Sequence, residues 1–368
     1  MRLALGQARA SSGRTWPNPP VGAVVFRGDR VLARGRTQPP GGPHAEAEAL
    51  DRALRRHGAR AVRGATLAVT LEPCCHQGRT GPCTERVLRA GVARVLVGHA
   101  DPHPQVGGGG IRRLRRAGVT VEVGVLEAEC RAQHRGFLSL VERARPFVSL
   151  KLAATLDGRI ATARGESRWI TGPGARAAVQ RLRARSDAIA VGSGTALADD
   201  PELVARRGGR VVHRPVRVLV DSALRVPPSA KLFEGERGRT WVLCARTAAA
   251  RRVRALARRG AVVVPVPARG RHLDLRRGLA ALAVRGLSEL LVEGGGGLAA
   301  ALLREGLVDE LHWFVAPRLL GADGVPALGP LGVAALARAV QLEDVAVRRV
   351  GPDLHVSARL PAPAGARR

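Results

Sequence analysis

The feature that most constrains this chain lies within residues 43–83. There Pro43-His44-Ala45-Glu46 is followed by Glu72-Pro73-Cys74-Cys75-His76-Gln77-Gly78-Arg79-Thr80-Gly81-Pro82-Cys83. One imidazole (His44) and two thiols (Cys74, Cys83) make a three-point zinc set that leaves a fourth position open for water, which distinguishes catalytic from structural zinc. Any fold must bring these segments to one point. Pro43 is a helix starter, so His44 and Glu46 are expected in the first turn of a helix. Pro82 is expected to open another, with Cys83 at its N-terminus, where the helix dipole favours thiolate.

Glu46 suits proton shuttling for a zinc-activated water that attacks an amino-bearing ring carbon and expels ammonia. A structural zinc would want a fourth protein ligand, which Cys75 or His76 could supply. Buried core residues are a further alternative for all of these side chains. Glu46 at its offset is unexplained by either, which favours catalysis. Asn18, in the rigid loop Trp16-Pro17-Asn18-Pro19-Pro20, is an amide suited to a heterocycle, although such a residue more often serves a turn.

A length of 368 residues favours about two domains. A hydrophobic content of 45% supplies ample core. The net charge of +30 invites a nucleic-acid reading, but the basic residues are almost all Arg and are spread evenly, with Lys only at 151 and 231. Aromatic residues make up 2%, too few for base-stacking platforms, so no nucleic-acid partner is expected. The charge should instead draw in phosphate-bearing small molecules. Five cysteines, three of them close together, point to a metal site in a reducing compartment, with Cys130 and Cys244 as buried apolar residues. No signal-type core or membrane-length apolar run is visible, so a cytoplasmic location and no membrane partner are expected.

The apolar pattern predicts a helix over 3–10, strands over 21–26 and 31–34, a helix over 45–56 and a strand over 66–71. A helix over 83–90, a strand over 92–98, a helix over 111–117 and a strand over 119–123 follow. That order implies an α/β layered sheet. The segment 143–146 is the candidate boundary, giving domains 1–143 and 146–361. The second begins with a strand over 147–153, a helix over 174–184, and strands over 188–192, 216–221 and 240–245. A helix over 248–259, a strand over 261–266, a helix over 275–285, a strand over 288–292, a helix over 298–305 and a strand over 308–315 come next. A hairpin over 344–360 closes it. Glu293-Gly294-Gly295-Gly296-Gly297 ends a strand and opens a helix, as a phosphate-binding turn or a merely flexible one would. Gly107 to Gly110 reads as a plain loop. The clusters around Lys151, Gly192-Ser193-Gly194-Thr195 and Asp199-Asp200-Pro201 suggest a ligand cleft. Arg183 and Arg206 do not stand out among so many arginines.

Taken together, Pro17-Asn18-Pro19, Pro43-His44-Ala45-Glu46, the cysteine loop through Gly78-Arg79-Thr80 and Asp101-Pro102 resemble a known family. So do Lys151-Leu152-Ala153, Leu156-Asp157-Gly158-Arg159, Trp169-Ile170-Thr171, Leu197-Ala198-Asp199-Asp200-Pro201, Glu293-Gly294-Gly295 and Ala316-Pro317-Arg318-Leu319-Leu320-Gly321. The family is that of bifunctional bacterial riboflavin-biosynthesis enzymes, a pyrimidine deaminase fused to a uracil reductase, and the likeness covers nearly the full chain.

The resemblance implies an α/β chain with an N-terminal cytidine-deaminase-like three-layer domain and a C-terminal dihydrofolate-reductase-like domain. It implies zinc on His44, Cys74 and Cys83, with Glu46 catalytic. It implies an NADPH site lined by Ala153, Trp169, Thr195, Asp199, Ser222, Gly295, Gly296, Gly297 and Leu298. Contacts to a phosphorylated pyrimidine would come from Asn18, Lys151, Ser167, Arg183, Leu203, Arg206 and Glu293, and a homo-oligomer would form through the reductase domain. Two positions depart from the family pattern. Arg36-Thr37 stands where an aromatic or polar residue and a histidine are usual, and Cys75 replaces a serine.

Overall fold

The β-branched runs of the first half pair into one sheet, and those of the second half into another. The computed structural model describes residues 1–77, 81–104, 106–270 and 272–361, so Gly78, Arg79 and Thr80 of the cysteine loop lie outside the described residues. The chain divides into Met1–Arg145 and a unit from Pro146 onward.

In the first unit α1 (Arg2–Ser11), β1 (Gly22–Arg27), β2 (Arg30–Arg36), α2 (Ala45–Val62), β3 (Thr66–Val69) and α3 (Cys83–Arg89) come first. Then follow β4 (Arg94–Val97), α4 (Gly109–Arg116), β5 (Thr120–Val123), α5 (Glu127–Gln133) and α6 (Arg135–Arg143). The sheet order is β2-β1-β3-β4-β5. β1 is antiparallel to β2 and β3, whereas β3, β4 and β5 are parallel.

Strand alternation sends Ala23, Val25, Leu67, Val69, Val95 and Val97 to one face, where they form a core with Ala45, Ala49, Leu50 and Ala53 of α2, Val87 of α3 and Leu114 of α4. The helical spacing of the α2 residues supplies that apolar stripe. α1 lies against the opposite face. The helix predicted over 45–56 runs on to Val62 past a non-helical Gly58. The helices α5 and α6, unforeseen from the sequence, follow the last strand of this unit.

These two helices meet at His134, which is fully buried, as is His99 after β4. His99 Nδ1 lies 2.8 Å from the Ala100 carbonyl, His99 Nε2 2.8 Å from His134 Nδ1, and His134 Nε2 3.2 Å from Thr70 Oγ1. A carbonyl only accepts, so a neutral His99 carries its proton on Nδ1 towards Ala100, and the Pro20 carbonyl is a further acceptor for the His134 ring. Burial, then the neighbouring His99, pushes the His134 pKa down to about 3, and burial lowers that of His99.

In the second unit come β6 (Phe147–Thr155), β7 (Arg159–Ala161), α7 (Pro173–Arg185), β8 (Ala188–Gly192), α8 (Ser193–Asp199), β9 (Ala205–Arg207) and β10 (Arg210–His213). They are followed by β11 (Val216–Val220), β12 (Thr240–Ala245), α9 (Ala250–Arg258), β13 (Val262–Val266), β14 (Ala268–Arg269), β15 (His272–Leu273) and α10 (Leu275–Ala283). β16 (Glu289–Glu293), α11 (Gly296–Arg304), β17 (Glu310–Ala316), β18 (Val325–Pro326), β19 (Glu343–Val350) and β20 (Asp353–Arg359) complete it.

The main sheet has nine strands in the order β13-β12-β11-β8-β16-β6-β17-β20-β19. Neighbours from β13 through β17 are parallel, and the closing hairpin is antiparallel. Leu182 of α7 and Val253 and Leu256 of α9 pack with Ile189, Val191, Leu219 and Leu291 on one face. Leu279 and Leu282 of α10 and Leu298 and Leu302 of α11 line a small apolar cavity with Ala190, Val218 and Val292 on the other. Among the described residues no helix is long and apolar enough to cross a membrane.

The buried imidazole row makes a pH prediction. His134 titrates near its ordinary 6.5 when unfolded and only about 3 when folded. The unfolded chain therefore binds the extra proton first, and stability is present above about 6.5 and lost as pH falls towards 3. Amide exchange of β3 should accelerate over that window, and His134→Gln should flatten the dependence. An unchanged pH slope in the variant would contradict the assignment.

Candidate functional site

The first cluster forms where α2, α3 and the end of β3 meet. His44 is the N-cap of α2, and Cys83 is the first residue of α3. His44 Nδ1 lies 3.7 Å from Cys74 Sγ and 3.4 Å from Cys83 Sγ, and the three donor atoms lie within 4.8 Å of one another. A tetrahedral zinc with bonds of about 2.0–2.3 Å separates its N and S ligands by about 3.6 Å, so this donor set fits that ion. Cys75 turns elsewhere. A Cβ built on Gly109 would sit 2.8 Å from its Sγ. Cys75 and His76 are not in the ligating group, so among the described residues no fourth protein ligand joins it.

The electrostatics suit a proton carrier beside thiolates. The Cys83 N–H donates to Cys74 Sγ at 3.4 Å. A hydrogen bond from the Cys83 thiol, outweighing burial, holds the Cys74 pKa well down, while the same contact raises that of Cys83. Glu46 is 4% exposed in the first turn of α2. Burial first, then the charge of Cys74, pushes its pKa up to about 7, in the range useful to a general acid or base.

In the proline loop before β1, Asn18 donates its N–H to the Thr15 carbonyl and accepts Thr15 Oγ1 on its own carbonyl, both at 2.8 Å. The departure at Thr37 has a structural account. Its hydroxyl accepts the Val21 N–H at 3.0 Å and its own N–H donates back to Val21, clipping the end of β2 to the Asn18 loop. Glu48 accepts from the Arg36 N–H at 2.7 Å and the Gln38 amide at 2.8 Å.

The second cluster lies on the α7 face of the main sheet. Glu293 ends β16 directly opposite Lys151 on β6. Arg183, in the last turn of α7, grips Glu293 through Nε–Oε1 at 2.6 Å and Nη2–Oε2 at 2.8 Å, and donates to the Val204 carbonyl at 3.0 Å. Burial opposes the charge on Glu293, but Arg183 and then Lys151 overcome it and hold the carboxyl below its ordinary value. Burial lowers the Lys151 pKa, with Glu293 and Asp199 pulling the other way. Ala153 is two residues beyond Lys151 on the same strand face.

Gly294 and Gly295 carry φ of +85° and +84°, and a Cβ on either would press on the Thr195 side chain at 3.1–3.2 Å. The turn therefore needs glycine, and it opens α11 with Gly296, Gly297 and Leu298. Thr195 belongs to α8, a helix that is not among the elements predicted from the apolar pattern. Arg168 Nη2 donates to the Asp199 carbonyl at 3.1 Å, bringing the Ser167 segment to α8. Trp169 is exposed, with Arg176 stacked 4.6 Å over its ring. Ser222 follows β11 and accepts the Ala245 N–H at 3.0 Å. Leu203 is buried. Arg206 is brought to neither ion of the Arg183–Glu293 pair. Its guanidinium is engaged by Glu202 and the Gly209 carbonyl.

Comparison with known proteins agrees with these geometries. A family model for the cytidine and deoxycytidylate deaminase zinc-binding region matches residues 1–99, and one for the RibD C-terminal domain matches residues 146–356. Riboflavin biosynthesis protein RibD of Escherichia coli is 41% identical over 96% of both chains, and that of Aquifex aeolicus 38% over 96% of both. The chain belongs to the RibD family. Acinetobacter baumannii RibD superposes with a TM-score of 0.87 at 34% identity, covering 98% of this chain and 97% of that one. A Thermotoga maritima diaminohydroxyphosphoribosylaminopyrimidine deaminase/5-amino-6-(5-phosphoribosylamino)uracil reductase gives 0.83 at 33%, with the same coverage. The chain is thus a bifunctional deaminase and reductase of riboflavin biosynthesis, with a cytidine-deaminase-like unit followed by a dihydrofolate-reductase-like one.

The pair Arg183–Glu293 predicts its own energetics. Arg183→Met leaves a buried carboxylate unpartnered and should cost about 3 kcal/mol in urea unfolding of the second unit. The double variant with Glu293→Gln should recover much of that loss. Additive losses would show that the pair is not coupled.

Proposed function

We propose that the first unit deaminates 2,5-diamino-6-ribosylamino-4(3H)-pyrimidinone 5-phosphate and the second reduces the ribosyl side chain of the product to ribityl with NADPH. The observation that carries the reading is the nitrogen–sulfur triangle of His44, Cys74 and Cys83 with Glu46 buried beside it. A zinc ion bound there supplies Lewis acidity that activates water. His44 and the two cysteines fix its place. Glu46, poised near neutrality, accepts the proton and returns it to the departing ammonia. Asn18 is offered to the heterocycle.

In the second unit the glycine turn before α11 and the start of that helix, with open space at Gly297, offer backbone N–H groups suited to a dinucleotide phosphate. Ala153, Trp169, Thr195, Asp199, Ser222, Gly297 and Leu298 complete the NADPH-site assignment. Lys151, Ser167, Arg183, Leu203, Arg206 and Glu293 are assigned to the phosphorylated substrate. Deaminase and reductase domains are assigned to 1–143 and 146–361. A cytoplasmic location and a homo-oligomer through the reductase unit belong to the same reading. Support for the oligomer comes from β19, an edge strand that exposes Val345 and Val347.

The test is NADPH oxidation by the purified protein, started with the diaminopyrimidinone. NADPH consumption with equimolar ammonia supports both steps in this order, whereas silence with that compound and with its deaminated form would sink the reading. Glu46→Gln should lower ammonia release by about 10²–10⁴-fold and leave NADPH affinity unchanged in a fluorescence titration.

A further inference from the structure

Glu72 stands two residues before Cys74 and is 3% exposed. Its carboxylate collects three backbone donors from a distant segment. Oε2 accepts the N–H of Asp101 at 3.0 Å and of Gly108 at 3.1 Å, and Oε1 accepts that of Ile111 at 3.0 Å. Its own N–H donates to the His99 carbonyl at 3.1 Å. Ile111 lies in the first turn of α4, where N–H groups have no acceptor within the helix, so Glu72 caps that helix from outside.

A second contact fixes the same junction. A Cβ on Gly110 would sit 2.0 Å from the Pro73 carbonyl, so α4 starts in close contact with the peptide that leads into Cys74. On the other side, the Thr84 N–H donates to the Cys74 carbonyl at 3.2 Å. Cys74 is thus held between α3 and α4. Three donors converging on two oxygens require an acceptor-only group. A glutamine in this place would turn its NH₂ towards one of the donors.

We propose that Glu72 is a positioning residue for the metal site, clamping Asp101, Gly108 and the start of α4 onto Pro73 so that Cys74 Sγ stays at ligand distance from its partners. The proposal rests on the zinc reading above and goes beyond it by making the geometry depend on a carboxylate that touches neither metal nor substrate.

The experiment uses the full chain loaded with Co²⁺ in place of zinc, as wild type, Glu72→Gln and Gly110→Ala. Wild type should show the intense visible bands of tetrahedral, thiolate-bound cobalt. Both variants should shift those bands and release the ion to a chelator about 10–100-fold more readily. They should also raise KM for the diaminopyrimidinone, with NADPH oxidation on the deaminated substrate unchanged. Should Glu72→Gln fail to fold, Gly110→Ala, which keeps the carboxylate, carries the test. Wild-type spectra and ion release in the folded variants would overturn the positioning role and leave the zinc reading intact. A wild-type protein that takes up no cobalt would overturn the zinc reading, and the proposal with it.

Discussion

Three donor atoms can sit within 4.8 Å of one another here because two helices begin at the same point beside one strand end. His44 caps α2 and Cys83 opens α3, while Cys74 arrives on the segment leaving β3. Helix starts offer unpaired N–H groups and a positive dipole end, so they favour thiolate and, in turn, a cation between the thiolates. Glu46 gains its character from the same placement. The first turn of α2 faces the core, and the burial that packs Ala45 and Ala49 also strips water from the carboxyl group.

The reductase unit meets a different constraint with a related solution. Its parallel sheet is apolar along both faces, yet Lys151 and Glu293 lie side by side on it. Burying two such charges is costly unless geometry and further hydrogen bonds compensate. Arg183 supplies both, because α7 crosses the sheet so that its last turn reaches Glu293. The bidentate contact uses the planar fork that arginine has and lysine lacks. The lysine is thereby left with its charge balanced but its ammonium not consumed by a direct ion pair with Arg183's carboxylate partner.

Much of this was legible along the chain. The alternation of apolar residues located every strand of the two main sheets and most of the helices, because burial on a sheet face imposes a period the sequence must obey. What escaped was local structure without that signature. α5 is short and polar, α8 hides in a Gly-Ser-Gly-Thr run, and Gly109-Gly110, read as loop, opens α4, whereas α6 does carry an apolar face through Phe137 and Leu138 and was passed over. Glycine there serves a close approach of backbones, which no local pattern announces.

By itself the sequence determined the chemistry on offer: one imidazole, two thiols and a neighbouring carboxyl, with glycines after a strand and two rare lysines. Motif spacing carries that information because ligands and proton carriers must recur at fixed offsets from helix starts. Only the tertiary structure decided which of the candidates meet. It set Cys75 aside, paired Arg183 with Glu293 while Arg206 found Glu202, and gave Thr37 a structural clip to Val21. It also drew Glu72, Thr70, His99 and His134 into buried polar networks. Those partnerships join residues far apart in the chain, and burial obliges each polar group to find whichever partner the fold brings within reach.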